Sequence, residues 1–399
     1  MSLARLPPCD VELEAIQRDD RSYRITLRLR ASLHEGWPAK LVAEPYNYPR
    51  LVELAYEVYG RLNKLVSKTQ FDPAQLNDQE LRKYLEPLDN LLYGMRFPEV
   101  NRSLGEILAE VIARTKPVLL SVNDEIGMLP WELTSLAPGA PLLGSLVQIY
   151  GSLAHADEGA SEQLNLGGIL EVGKVKGAGR APLTFDGGLR IRGAGDRRLA
   201  GAAAEEALIV SPGGITTGTI APWVTTKATE PAFFSHFGAA GYEIVHFFSH
   251  CRYDANGFML SVSNAYNLGI MHFNSNRAEF PRNAFHFLNV CSGAPNPATR
   301  HRSLVEYVDR QHSAGGLIAS LIAVRSNAAV AMAREFYERF LPKAHGSSGL
   351  PAVEALAAAR NALWSRGMAA GYLYRVYGRP DAFLVPLDAR LARGEHADA

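Results

Sequence analysis

Two short apolar runs near the middle of the sequence constrain the fold most strongly. One ends at His250 (residues 242–250) and the other ends at Cys291 (residues 283–291). Both runs are rich in β-branched and aromatic residues and are followed by turn-forming residues, which is the pattern of a strand. If the two strands lie side by side and parallel, both end at the same carboxyl edge, where open α/β sheets place their sites. The pattern therefore predicts a thiol–imidazole dyad at the edge of a sheet.

The flanking sequence predicts an α/β sandwich with a mostly parallel sheet. From residue 117 onward, strand-like runs such as 118–124 alternate with helical patterns, as expected for strands joined by crossover helices. We predict strands at 143–150, 166–172, 215–224, 315–324 and 372–377, helices at 199–208, 229–239, 302–312, 326–341 and 351–366, and a surface loop at 173–201.

Residues 1–115 differ from the rest, and we predict a domain boundary between 115 and 116. They contain an alternating run at 22–31 and helical patterns at 49–66, 77–93 and 103–115. This mixed, largely helical lobe would regulate the second domain (116–399) or bind a partner. Alternatively, it only covers one face of that domain.

The composition excludes several classes of function. Lys plus Arg and Asp plus Glu both total 41, and without clustered cations we expect no direct nucleic-acid partner. The first residues lack the apolar segment of a signal peptide and no window approaches 18 apolar residues, so we expect no membrane association. The three cysteines, Cys9, Cys251 and Cys291, are too few for a disulfide framework or a zinc site. We expect a protein of the reducing cytoplasm with no metal and no cofactor.

The pairing of His250 with Cys291 is more informative than either residue alone. A lone strand-end cysteine or histidine is usually part of the core. A nucleophilic thiol, however, needs a base within hydrogen-bond reach and backbone N–H donors for the oxyanion, and two strand ends with open loops supply both. A nearby imidazole would also lower the pKa of the thiol below ~8.5. Residues 289–293 (NVCSG) keep the Cys-x-Gly spacing of the caspase signature but differ from it at both positions before the cysteine.

Several sequence blocks, which occur in a fixed order along the chain, resemble those of a known protein family. The chain resembles CHAT-domain proteins, bacterial caspase-like peptidases related to separase, over about residues 100–386. The blocks are 119–134 (with LPWEL at 129–133), 199–210, 242–250, 285–293 and, after further helical blocks, 374–383. The sequence departs from the family at Cys251, where glycine usually follows the histidine, and at Ile322, where tryptophan is common. The resemblance implies a caspase-like three-layer sandwich and a cysteine endopeptidase.

The resemblance also implies roles for individual residues. Cys291 would attack the scissile carbonyl, and His250 would take the thiol proton and later protonate the leaving amine. The backbone N–H groups of Cys251 and Cys291 would hold the oxyanion. Further candidates for orienting the base or lining the specificity pocket, each with a structural role as the alternative, are Asp124, Glu132, Asp254 and Arg325. We assign His246 to the core, and we expect the Cys251 side chain to turn away from the dyad.

The biological setting follows only from the resemblance. It implies regulated proteolysis in anti-phage defence or programmed cell death, with a specific protein substrate such as a bacterial gasdermin and a possible regulatory partner at the N-terminal lobe. Two alternatives remain. One is a caspase-like scaffold or partner-binding module whose dyad is idle or needs an activator. The other is nucleotide binding at the glycine-rich residues 173–179, which lack both GxxxxGK[ST] and GxGxxG.

Overall fold

The protein is described by a computed structural model that covers the chain in segments. They are residues 10–19, 22–29, 38, 40–43, 46–67, 78–114, 118–124, 129–151, 183–185, 191–196, 198–210, 234, 243–254, 257–261, 267–275, 284–294, 303–312, 315–342, 349–378 and 382–386. None of the helices in these segments has the length and hydropathy needed to cross a membrane.

The described residues form strands and helices that alternate along most of the chain. The strands are β1 (Val11–Asp19), β2 (Ser22–Leu29), β3 (Lys40–Val42), β4 (Tyr46–Asn47), β5 (Arg96–Phe97), β6 (Arg102–Ser103), β7 (Leu119–Asp124), β8 (Gln148–Gly151), β9 (Leu183–Phe185), β10 (Ile191–Gly195), β11 (Ile244–Ser249), β12 (Cys251–Asp254), β13 (Gly257–Ser261), β14 (Asn267–Gly269), β15 (Phe285–Val290), β16 (Leu317–Ser320), β17 (Tyr374–Tyr377) and β18 (Leu384–Pro386). The α-helices are α1 (Tyr48–Ser67), α2 (Asp78–Leu85), α3 (Leu91–Gly94), α4 (Leu104–Arg114), α5 (Leu143–Leu146), α6 (Ala202–Val210), α7 (Ile270–Ser275), α8 (Leu304–His312), α9 (Ser326–Phe340) and α10 (Ala352–Trp364). Single 3₁₀ turns lie at Glu86–Leu88, Trp131–Leu133 and Ala369–Leu373.

Eleven of the described strands form one central sheet, and the strand direction changes between β16 and β17 in its middle. Its order is β10-β11-β15-β16-β17-β8-β7-β1-β2-β3, and β4 also pairs with β2. The strands from β10 to β16 are parallel to one another, and so are those from β17 to β1, but β16 and β17 are antiparallel. The carboxyl ends of the two parallel halves therefore lie at opposite edges of the sheet. The fold is the mostly parallel α/β sandwich that the sequence predicted.

The N-terminal residues extend this sheet. Strand β1 pairs in parallel with β7, with Val11 opposite Leu120 and Ala15 opposite Asp124. The sheet thus continues across the predicted boundary near residue 115. That boundary remains a prediction about independent folding units.

Both faces of the sheet are covered around the site. Every residue of β11, β15, β16 and β17 is buried, as expected for strands packed on two sides. On one face, α9 packs through aromatic rings. The ring centroids of Phe285 and Phe340 are 4.5 Å apart, and those of Phe287 and Phe336 are 5.3 Å apart. This packing fixes the two strands that end at the dyad.

Most predicted elements are found, and three differ for physical reasons. The helix predicted at 77–93 is split into α2, a 3₁₀ turn and α3, because Pro87 lacks the N–H that a continuous helix needs. The strand predicted at 143–150 begins with the short helix α5, since an apolar run alone does not distinguish helix from strand. Within the loop predicted at 173–201, β10 forms an edge strand because β11 supplies its hydrogen-bond partners. The predicted strands at 166–172 and 215–224, and the helix at 229–239 except Phe234, lie outside the described residues.

Candidate active site

His250 and Cys291 lie together at the carboxyl edge of β11 and β15. These strands are parallel neighbours, with Ser249 opposite Val290, so the next residue of each strand also lies opposite its partner. Sγ of Cys291 is 3.9 Å from Nδ1 of His250. This is longer than the ~2.6–3.2 Å expected for an engaged base, but such contacts often tighten only when substrate binds.

A tight turn held by two hydroxyl groups follows the candidate nucleophile. Ser292 adopts a left-handed conformation with φ of 53°, which is uncommon for a residue with a side chain. The Tyr253 hydroxyl donates to Ser292 O at 2.6 Å, and Ser320 Oγ donates to Val290 O at 2.5 Å. A Cβ at Gly293 would lie 2.8 Å from Cγ2 of Val290. Close packing therefore explains the glycine of the Cys-x-Gly pattern.

Backbone N–H groups converge on the Cys291 sulfur. Burial raises the pKa of the Cys291 thiol, and hydrogen bonds from the backbone N–H groups of Val324, Cys251 and Cys291 act in the opposite direction. Two of these are the donors predicted for the oxyanion. The third, Val324, was not predicted, because it belongs to the loop between β16 and α9 and reaches the sulfur only through the tertiary fold.

The direction of the Cys251 N–H follows from the hairpin of β12 and β13. Ser261 N–H donates to His250 O at 2.9 Å. In an antiparallel pair, the backbone N–H and C=O groups of successive residues point alternately toward and away from the partner strand. Because the backbone of His250 faces β13, the N–H of Cys251 points away from β13. The Cys251 side chain is buried, and burial raises the pKa of this thiol to about 12. A thiol with this pKa is a poor rival to Cys291 as nucleophile.

A buried polar network lies beneath the dyad. His246 is fully buried, as predicted for a core histidine, with Nε2 2.8 Å from Glu205 Oε1 and Nδ1 2.8 Å from the Tyr337 hydroxyl. Asn289 Nδ2 donates to the same Glu205 oxygen at 2.6 Å, and the Tyr374 hydroxyl donates to Asn289 Oδ1 at 2.6 Å. The network ties α6, α9 and β17 to the two strands that carry the dyad.

Asp196 is a site neighbour that sequence reasoning missed. It follows β10, the strand next to β11, and its N–H donates to Phe248 O at 2.9 Å. The side chain is fully buried and binds Arg198 Nε at 2.7 and 3.0 Å and Nη2 at 2.5 Å. Burial acts to raise the pKa of the Asp196 carboxyl, but Arg198 and, more weakly, His250 hold it below its usual value. The sequence does contain a signal for this residue, an acidic side chain directly after a strand. The strand itself was not predicted, because its glycine-rich sequence was interpreted as a loop.

Two of the predicted pocket or orienting residues lie away from the dyad. Asp124 ends β7, which belongs to the half of the sheet that runs the other way, so it lies at the opposite edge. At that edge Asp124 cannot orient His250 or line a pocket beside the dyad, which corrects the prediction and leaves its structural alternative. Glu132 is fully buried in an ion-pair cluster, with Oε1 2.7 Å from Arg375 Nε and 3.5 Å from Arg360 Nη2. It does not line the cavity beside Cys291.

The other two candidates lie nearer, but neither lines that cavity. Asp254 is exposed at the end of β12, about 13 Å from His250 along an extended strand. Arg325 immediately precedes α9, between two residues that do line the cavity, Val324 and Ser326. Their roles remain predictions.

A small cavity lies beside Cys291. It lies between the dyad, the cavity floor formed by Asn289 and Tyr374, and the first turn of α9 at Ser326. Helix N-termini favour nearby negative charge, so the position of α9 suits a thiolate or an oxyanion. Within the described segments, no three or more His, Cys, Asp or Glu side chains group in a way that could hold a metal ion.

The central sheet is that of an α/β fold, with His250 and Cys291 following neighbouring parallel strands. The family model described as CHAT domain matches residues 87–370. The chain belongs to this family, as the ordered sequence blocks predicted.

The solved structures that match the chain are distant from it in sequence. The Saccharomyces cerevisiae separase–securin complex matches with 12% identity and a TM-score of 0.44, over 87% of this chain and 23% of the matched chain. The Arg-specific cysteine proteinase gingipain R matches with 14% identity and a TM-score of 0.35, over 48% of this chain and 46% of its own. The complex of the Porphyromonas gingivalis RgpB pro- and mature domains matches with 15% identity and a TM-score of 0.31, over 48% and 47% of the two chains. The chain thus spans less than half of each matched chain. No curated protein sequence matches it significantly.

Proposed function

We propose that the protein is a cysteine endopeptidase in which Cys291 is the nucleophile and His250 the general base. The single observation that carries the proposal is the 3.9 Å contact between Sγ and Nδ1 at neighbouring strand ends. His250 takes the thiol proton as sulfur attacks the peptide carbonyl carbon. The carbonyl oxygen becomes an oxyanion, held by the backbone N–H groups of Cys251 and Cys291. The C–N bond then breaks, and His250 returns its proton to the departing amine.

The second half of the cycle uses water. The acyl group remains on Cys291 as a thioester after the amine leaves. His250 removes a proton from water as the oxygen attacks the thioester carbonyl. The carbon–sulfur bond breaks, the new carboxylic acid leaves, and the proton held by His250 restores the thiol. This cycle needs no metal and no cofactor.

The natural substrate in this proposal is a specific partner protein. Family resemblance suggests anti-phage defence or programmed cell death in a bacterial cytoplasm, with a bacterial gasdermin as a candidate substrate. The N-terminal residues are the proposed site of a regulatory partner. These parts of the proposal rest on analogy within the family rather than on the site geometry.

A second candidate function is supported by the resting geometry. A 3.9 Å contact and a thiol pKa raised by burial describe a dyad that is not yet engaged. The protein would then be a caspase-like scaffold, or a peptidase that needs an activator.

Cleavage assays distinguish the candidates. The full chain is incubated with candidate proteins encoded nearby, and new N-termini are mapped by mass spectrometry. An active peptidase gives new termini that disappear in both Cys291→Ala and His250→Ala and persist in the control Cys9→Ser. Cleavage that persists in both dyad variants would refute the proposal. An idle scaffold gives no new termini with any variant.

Thiol labelling gives a second, substrate-free measurement. Burial raises the pKa of the Cys291 thiol, contrary to the lowering expected from the imidazole. If the proposed dyad engages, His250 takes the thiol proton, and iodoacetamide should modify Cys291 faster than Cys9 in the wild type. In His250→Ala this advantage should fall by at least ~100-fold, the lower range for general-base assistance. Equal rates at both cysteines in the wild type favour the idle scaffold.

A further inference from the structure

One carboxylate oxygen joins the two strands that lead to the dyad. Glu205 lies on α6, and its Oε1 is 2.8 Å from Nε2 of His246 and accepts a hydrogen bond from Nδ2 of Asn289 at 2.6 Å. His246 belongs to β11, which leads to His250. Asn289 belongs to β15, which leads to Cys291. A side chain from a third element therefore bridges both strands beneath the dyad.

The bridge lies on the same face of the sheet as the dyad. His246 precedes His250 by four residues, and Asn289 precedes Cys291 by two. Even offsets along extended chain keep side chains on one face. The pairing of the strands agrees, because His246 lies opposite Phe287 and their rings stack with centroids 5.2 Å apart. The bridge thus acts on the rows of side chains directly below the two dyad residues.

Each partner of Glu205 is also held from a second side. The Tyr337 hydroxyl lies 2.8 Å from Nδ1 of His246. Because a carboxylate oxygen accepts and does not donate, we assign the ring proton to Nε2 and the hydroxyl as the donor to Nδ1. The Tyr374 hydroxyl donates to Oδ1 of Asn289 at 2.6 Å. Both side chains are therefore oriented, and a shift of one strand against the other would lengthen the bonds to Glu205.

The bridge is unfavourable as packing alone. Glu205 is fully buried, and its Oε2 has no hydrogen-bond partner among the described residues. Burying a carboxylate with an unsatisfied oxygen costs stability, which an apolar side chain of similar volume would not do. Glu132, which is equally buried, instead binds Arg375 with both oxygens. Glu205 is suited to a different task, since only an acceptor that both strands reach can align them.

We propose that Glu205 is a positioning residue for the dyad, which holds β11 and β15 at the separation that brings the His250 imidazole to the Cys291 sulfur. The proposal rests on the proposed function, because this alignment affects a reaction only if His250 acts as the base. The resting contact is already 3.9 Å, and a displacement of ~1 Å costs up to ~100-fold in rate. We expect loss of the bridge to slow the His250-assisted reaction of Cys291 at least ~10-fold.

A double-mutant cycle on the full chain tests this role. Iodoacetamide labels Cys291, and peptide mapping gives the rate. Glu205→Leu has a similar volume and no acceptor, and it should lower the rate at least ~10-fold. Glu205→Gln keeps an acceptor oxygen and should stay within ~3-fold of the wild type. In the His250→Ala background, Glu205→Leu should change the rate by less than ~2-fold, because no base remains to be positioned.

Two further variants separate positioning from a general effect on the core. If thermal unfolding shows that Glu205→Leu has lost its fold, Glu205→Asp replaces it. This variant keeps the charge, but its shorter side chain cannot reach both strands, so the same fall of at least ~10-fold is expected. Tyr337→Phe is the matched control, because it removes the other hydrogen bond of His246 and leaves the bridge intact. Its rate should stay within ~3-fold of the wild type.

The outcomes distinguish this proposal from the proposed function. A loosened core would change the rate by the same factor with and without His250, and that result overturns the positioning role. An unchanged rate without the bridge also overturns it, as does a fall in Glu205→Gln or Tyr337→Phe as large as in Glu205→Leu. The proposed function stands in each of these cases. Failure of iodoacetamide to label Cys291 selectively in the wild type overturns the proposed function, and this inference with it.

Discussion

Removing the charge of Glu132 should destabilise the fold more than it affects the dyad. The carboxylate neutralises Arg375 and Arg360, whose side chains are 2% and 1% exposed. Burial acts to lower the pKa of both guanidinium groups. The pKa of Arg360 stays lowered, whereas Glu132, with smaller contributions from Tyr377 and Tyr59, raises the pKa of Arg375. Breaking a buried pair by removing one partner costs about 3–5 kcal/mol. Because Glu132→Gln leaves two buried guanidinium groups without a counter-charge, we expect a loss near the upper end of this range.

Urea unfolding followed by tryptophan fluorescence measures this loss, and a second glutamate provides a matched control. Glu335 also contacts two arginines, Arg339 at 2.6 Å and Arg366 at 2.5 Å, but these side chains are 24% and 51% exposed. Glu335→Gln should therefore cost at most about 1 kcal/mol. Equal losses in the two variants, or a loss below about 1 kcal/mol for Glu132→Gln, would refute the reasoning from burial. A loss of Cys291 labelling without a loss of stability would instead assign Glu132 to the site.

Three further substitutions or measurements test the surroundings of the candidate nucleophile. Tyr253→Phe removes the hydroxyl that holds the following turn and should lower kcat/KM about fivefold, since one neutral hydrogen bond is worth about 1 kcal/mol; an unchanged rate contradicts this. Gly293→Ala places Cβ 2.8 Å from a methyl group of Val290 and should lower the free energy of unfolding, measured in urea, by about 1–3 kcal/mol. In the control Gly60→Ala the new Cβ meets no atom within 4 Å, so this variant should be neutral or stabilising in its helix. At pH 8 only about one Cys251 thiol in ten thousand is ionised if its pKa is about 12, so iodoacetamide followed by peptide mapping should leave it unmodified; rapid modification would contradict its burial.

The sequence was sufficient to predict that His250 and Cys291 lie close together, because the pattern that places each of them at the end of a strand is local. Each residue ends an apolar strand, and adjacent parallel strands end at one edge. The structure places them at neighbouring strand ends, 3.9 Å apart. The family and the α/β class were also predictable, since both depend on blocks and alternation that are read along the chain.

The parts that failed depend on contacts between distant segments. Asp124 ends a strand as predicted, but only the antiparallel pairing of β16 with β17 shows that this strand ends at the other edge. Asp196 was missed because the glycine-rich β10 has few side chains to mark it as a strand, and β11 supplies its pairing. Val324 contributes a backbone N–H, which no side-chain pattern records. These residues are placed by the tertiary structure rather than by local propensity.

Strand β17 connects the stability of the fold to the shape of the cavity. Tyr374 donates to Asn289 at the cavity floor, and the next residue, Arg375, binds Glu132 in the buried ion-pair cluster. Successive residues of a strand point to opposite faces, so one strand fixes the floor on one side of the sheet and the cluster on the other. Arg360 of that cluster also donates to Tyr374 O at 2.5 Å. The ion pairs therefore hold the same backbone that positions the floor beside Cys291, which makes Glu132 a supporting residue of the cavity although it does not line it.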